Sequence, residues 1–126
     1  MTPELEALAR RAVACPRWRW MPGMRWIDNR PAPLEPIALR VADIRPRDGS
    51  DVPRHALPDL TDPATLGCLL ALVRESWGRT AYTMYYFSVW RSCDRWALCA
   101  DRDQEVDPGD DVTEAGALVC ALEAAP

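Results

Sequence analysis

Asp101, Asp103, Glu105 and Asp107 stand at every second position of one short segment, and with Asp110, Asp111 and Glu114 they face a single nearby base, Arg102. Acids alternating in this way open a calcium-binding loop, where successive oxygens turn toward one ion. The rest of such a loop is lacking. Its sixth position, which needs glycine for a sharp turn, is Val106, and its twelfth, which needs a bidentate glutamate, is Val112. Two other roles fit the strip. It can be a solvated turn feeding a helix N-terminus, whose dipole Asp110, Asp111 and Glu114 complement. It can also be a negative ridge, built on Asp101, Asp103, Glu105 and Asp107, that imitates nucleic-acid phosphate and enters a basic groove on another protein.

The opposite chemistry lies near the other end. Trp18, Trp20 and Trp26 account for three of the six tryptophans, and Arg17, Arg19 and Arg25 are interleaved with them. Large rings beside arginines can stack and clamp single-stranded nucleic acid, can anchor a protein interface, or can simply fill a core. The net charge of −4 argues against nucleic acid, since binding to a phosphate backbone draws on a clustered positive field. Core packing of the three rings is the expectation, with Arg17, Arg19 and Arg25 as candidate partner contacts.

Catalytic equipment is sparse. The one histidine, His55, sits in Pro53-Arg54-His55-Ala56-Leu57-Pro58 with no serine or cysteine beside it, which reads as a surface-loop residue. Cys15, Cys68, Cys93, Cys99 and Cys120 are odd in number, form no C-x-x-C pair and mostly adjoin apolar residues. This is the pattern of buried free thiols in a reducing compartment, not of a disulfide framework or a zinc site. No catalytic residue, cofactor or metal is expected.

The chain of 126 residues suits one domain with one core. All 15 basic residues are arginine, against 19 acids, and they are unevenly spread. Residues 1–54 carry net +3 and residues 55–126 net −7, which makes a dipolar molecule. The arginine, alanine and proline content reflects GC-rich coding, so each arginine need not have been selected for bidentate chemistry. Met1-Thr2-Pro3-Glu4-Leu5-Glu6 has neither the basic start nor the apolar block of a secretory signal. The apolar runs at 68–73 and 117–122 are far shorter than the ~20 residues of a membrane span. A soluble protein of a bacterial host cytosol is the expectation.

Local signals place these groups. Thr2 caps a helix with Pro3 at its first position, and the helix ends before Pro16. Trp18 and Trp20 alternate with arginines as on a half-buried strand, which bends at Pro22-Gly23. Residues 29–36 and about 45–61 are proline-rich loops, and Ile37, Leu39 and Val41 alternate between them as a strand. Leu66, Leu69, Leu70, Val73 and Trp77 define a core helix that starts at Thr61-Asp62-Pro63 and stops at Gly78. The runs 80–90 and 95–100 form an antiparallel pair, and Thr113 caps a last helix carrying Ala115, Leu118, Val119 and Leu122. The order α, β, β, α, β, β, α predicts a single α+β domain, an antiparallel sheet of about four strands packed against about three helices.

Two motifs, WRWMPGM at 18–24 and DPATLGCLLALVRESWG at 62–78, resemble segments of small proteins of unknown role encoded by phages and prophages of GC-rich bacteria. The similarity extends to TEAGALVCALEAA at 113–125, and residues 28–58 depart from the pattern. The resemblance implies an accessory role, including anti-defence inhibition of the anti-CRISPR kind, and carries no catalytic residue or cofactor with it. Together these readings predict a non-enzymatic protein that binds a host protein or protein–nucleic-acid complex stoichiometrically. The rivals are a small nucleic-acid-binding protein acting through the tryptophan and arginine segment, and an enzyme of unrecognised type.

Overall fold

A computed structural model describes residues 1–28, 37–41, 52–78, 82–87, 95–99, 105–106 and 113–126. Among these, no helix is long and apolar enough to cross a membrane. The fold is α+β, and the chain forms two compact units, Met1–Cys68 and Leu69–Pro126.

In the first unit, α1 (Pro3–Ala14) starts where expected: Thr2 Oγ1 accepts from the Leu5 amide at 3.2 Å and Pro3 supplies a first-turn residue with no amide to satisfy. Leu8, Ala9 and Ala12 are its buried face. After Pro16 the chain does not become a strand at Trp18 and Trp20, contrary to the alternation of residue types. The Trp18 amide turns back to the Cys15 carbonyl at 2.9 Å, and Pro22 lacks the amide a ladder would use. The strand proper is β1 (Arg25–Asp28), entered through a type II turn in which the Met24 amide reaches the Met21 carbonyl at 3.1 Å. Pro22 and Gly23 hold the two central positions, and Gly23 adopts φ +94°, a conformation closed to most other residues.

β2 (Ile37–Arg40) and β3 (Leu57–Pro58) pair antiparallel on either side of β1, giving the order β2-β1-β3. Trp26 stands opposite Leu39 on one side and Pro58 on the other. The ladder continues past β2, with the Val41 amide on the Met24 carbonyl at 2.8 Å and the Gly23 amide on the Val41 carbonyl at 3.1 Å. Buried Trp26, Val52 and Ala56 pack together, and half-buried Trp20 and Val41 lean on them. Of the expected loop at about 45–61, residues 45–51 lie outside the described set, while Leu57–Pro58 forms β3 and Val52, Ala56 and Leu60 are buried.

α2 (Pro63–Trp77) has its expected limits, with Asp62 at its head and Gly78 at φ +67° after its end. In the second unit its Leu69, Leu72 and Val73 are fully buried. β4 (Thr83–Phe87) and β5 (Arg95–Cys99) pair antiparallel as expected, and β6 (Glu105–Val106) adds to β5, giving β4-β5-β6. Glu105 is therefore in a short strand opposite Cys99 and not in a turn. α3 (Glu114–Ala124) is capped by Thr113 Oγ1, which accepts from the Gly116 amide at 3.0 Å. Seven of its residues are buried, so the helix is enclosed on more than the one face that its leucines predict. The Trp77 indole donates to the Ala121 carbonyl at 2.9 Å and meets Tyr82 edge-on at 6.3 Å. Among the described residues, three helices and antiparallel pairing are as predicted, but the strands form two three-stranded sheets, each completed by a two-residue strand.

Candidate functional site

Among the described residues of the first unit, three carboxylates are buried: Asp28, Asp59 and Asp62 are 6 %, 7 % and 7 % exposed. An ionised carboxylate at such depth requires a partner, and each has one. Asp62 receives Arg40 through two parallel hydrogen bonds, Nη1 to Oδ2 at 2.8 Å and Nη2 to Oδ1 at 2.7 Å. The same Oδ2 caps α2 by accepting from the Thr65 amide at 2.9 Å and its hydroxyl at 2.9 Å. Arg40's hydrogen bonds hold the Asp62 carboxyl well below the usual carboxylate range, against the opposing effect of burial and with further help from Thr65. Asp62 in turn raises the Arg40 guanidinium above its ordinary value. Arg40 also donates to the Gly23 carbonyl at 2.9 Å, and the Arg25 amide donates to Thr65 Oγ1 at 2.9 Å. This network fastens β1, β2 and the Gly23 turn to the start of α2. The sequence marks Asp62 as a helix start but carries no signal for Arg40, which is remote in the chain.

His55 is exposed, as expected of a loop residue, yet its Nε2 lies 2.8 Å from Asp28 Oδ1. An imidazole beside a buried carboxylate is the orienting half of a nucleophile-activating triad. Among the described residues Asp28 is the partner shown for His55, with no nucleophile on the ring. Cys15, Cys68 and Cys120 are in no disulfide and are half-buried, less enclosed than predicted. Cys93 lies outside the described residues. Among the described residues, no group of three or more His, Cys, Asp or Glu is placed to hold a metal ion.

The tryptophan segment separates into distinct roles. Trp26 is core, Trp20 is half-buried against it, and Trp18 is half-buried against Trp20. Trp18 and Trp20 meet edge to face, centroids 5.3 Å apart and planes at 86°. The Trp18 indole nitrogen is covered but has no hydrogen-bond partner. Arg17, Arg19 and Arg25 are all exposed, and Arg25 also lies 3.5 Å from Asp59. These three candidate contacts therefore accompany a partly exposed aromatic pair in one unit. Of the acidic candidates, Asp101, Asp103 and Asp107 lie outside the described residues, and Glu105 is on β6.

No protein-family model matches this chain, and no curated protein or solved structure does either.

Proposed function

We propose that the protein is a non-enzymatic, stoichiometric binder of a host protein, and that Arg17, Trp18, Arg19 and Trp20 make the contact. The observation that carries this reading is the edge-to-face pair of Trp18 and Trp20, half-buried on its own core and flanked in the chain by exposed arginines. Tryptophan and arginine are the residues that most often dominate interface energetics. A ring already held by its neighbour loses little conformational freedom when a partner covers it. Exposed guanidiniums select a partner with a complementary acidic surface. The net charge of −4 favours a protein over a nucleic acid. The phage or prophage setting and an anti-defence, anti-CRISPR-like role rest on the resemblance of the two motifs. The experiment is affinity capture from lysate of a GC-rich bacterial host, comparing the wild type with the Arg17→Glu, Arg19→Glu double variant. One host protein retained in equimolar amount by the wild type and lost from the variant supports the reading. A captured species released by nuclease favours the nucleic-acid alternative, and equal retention by both proteins removes the segment as the contact.

A further inference from the structure

In the first unit β2 ends the β2-β1-β3 sheet, and among the described residues nothing pairs with its outer side. The ladder fixes which groups face outward there. The Val41 amide donates to the Met24 carbonyl at 2.8 Å and the Val41 carbonyl accepts from the Gly23 amide at 3.1 Å, so the backbone of Val41 points at β1. Leu39, two residues back and opposite Trp26, points the same way, which leaves the N–H and C=O groups of Ala38 and Arg40 directed away from the sheet. Edge strands are normally protected by prolines, bulges or charges. β2 contains no proline, and its one charged side chain, Arg40, is drawn back onto Asp62 and the Gly23 carbonyl. Leu39 is 54 % exposed although its cross-strand neighbour Trp26 is buried, so an apolar row that begins in the core ends at the edge on a side chain open to water.

We propose that β2 pairs antiparallel with β2 of a second copy of this chain, about a two-fold axis at Leu39, joining the two sheets into one. The outward groups of Ala38 and Arg40 flank Leu39 symmetrically, so β2 read backwards presents the same pattern, and each Ala38 exchanges both backbone hydrogen bonds with Arg40 of the other copy. Leu39 then meets its own copy as a non-hydrogen-bonded pair, where side chains approach most closely, and the apolar row runs Trp26, Leu39, Leu39, Trp26 across the axis. Charge selects this register. An axis at Arg40 sets two guanidiniums opposite each other, and an axis at Ala38 sets Arg40 against Pro36, which has no amide to donate. So short a strand buries little area, and the dissociation constant is on the order of 10–100 μM. Sedimentation equilibrium of the full-length protein, at concentrations spanning that range, should show the mass rising from one chain to two. Leu39→Glu, which places like charges on the axis, should hold the protein at one chain with its circular dichroism unchanged. Under mild oxidant Leu39→Cys should form a covalent dimer, because the Cα atoms of such a pair lie about 4.5 Å apart, within reach of a disulfide. Ala38→Cys, two residues out of step with its copy, should cross-link no more than the wild type does through its native cysteines. The cysteine pair decides the matter even if Leu39→Glu fails to fold. A single-chain mass at every concentration would overturn the self-pairing and leave the edge to an extended strand of another protein. A dimer that survives Leu39→Glu, or equal cross-linking of the two cysteine variants, would overturn the Leu39 axis.

Discussion

Arg40 holds Asp62 by two parallel hydrogen bonds of 2.8 and 2.7 Å, so a strand residue that is half exposed fixes a buried carboxylate at the head of α2. Because Asp62 Oδ2 also accepts from Thr65, and Thr65 Oγ1 accepts from the Arg25 amide, three elements depend on one side chain. Replacing Asp62 with Ala removes the cap of α2 and should cost about 1–2 kcal/mol in urea unfolding. Arg40→Met should cost more than this, because it leaves the buried Asp62 carboxylate without its counter-charge, whereas Asp62→Ala leaves a half-exposed arginine that water can solvate.

The same pair sets an acid limit. The folded Asp62 carboxyl lies below its unfolded value of about 3.9. Its contribution is therefore complete above that value and is lost as pH falls toward the folded pKa. Stability measured by chemical denaturation should drop below about pH 4. Asp62→Asn, which cannot titrate, should show a shallower decline over the same range.

The three clustered tryptophans should rank by burial. Trp26→Ala should cost about 3–5 kcal/mol, as deletion of a large buried ring does, because Trp26 is 7 % exposed and packs with Val52 and Ala56. Trp20→Ala should cost less and Trp18→Ala least. Melting temperatures of the three variants test the order. Trp18→Ala should also weaken partner capture out of proportion to its effect on melting.

Charge changes at the two ends should separate the candidate interfaces. Arg17→Glu with Arg19→Glu should slow association with the captured partner and flatten its salt dependence, as loss of steering charge does. Neutralising Asp101, Asp103, Glu105 and Asp107 should leave the association rate unchanged. If the acidic variant alone were slowed, the contact would belong to the ridge, and phosphate imitation would replace the aromatic pair as the mode of binding.

Burial pushes the Cys68 thiol up, and its Sγ lies 3.6 Å from the Pro22 carbonyl. Since the thiolate is the reactive form, a protein in which Cys68 is the sole remaining cysteine should react with a disulfide reagent near neutral pH more slowly than it does once unfolded. Equal rates would contradict the buried environment.

What the chain determined by itself is local. Thr2-Pro3, Asp62-Pro63 and Thr113 each mark a helix start because a side-chain oxygen three residues back can satisfy an orphan amide. Pro22-Gly23 makes its turn because proline presets one torsion and glycine tolerates the other. The apolar spacing of 66–77 identifies a buried helix, though not Leu72, which is enclosed only once the unit closes around it. Alternation misled at Trp18 and Trp20, where the prolines on either side and the return of the Trp18 amide to Cys15 prevail over the pattern. The two-residue strands β3 and β6 are too short to leave a periodicity, and they exist because β1 and β5 present open ladders to them. Likewise Arg40 with Asp62, His55 with Asp28 and Arg25 with Asp59 are decided by tertiary structure, since a charge on a side chain states what it needs but not which distant segment will bring it.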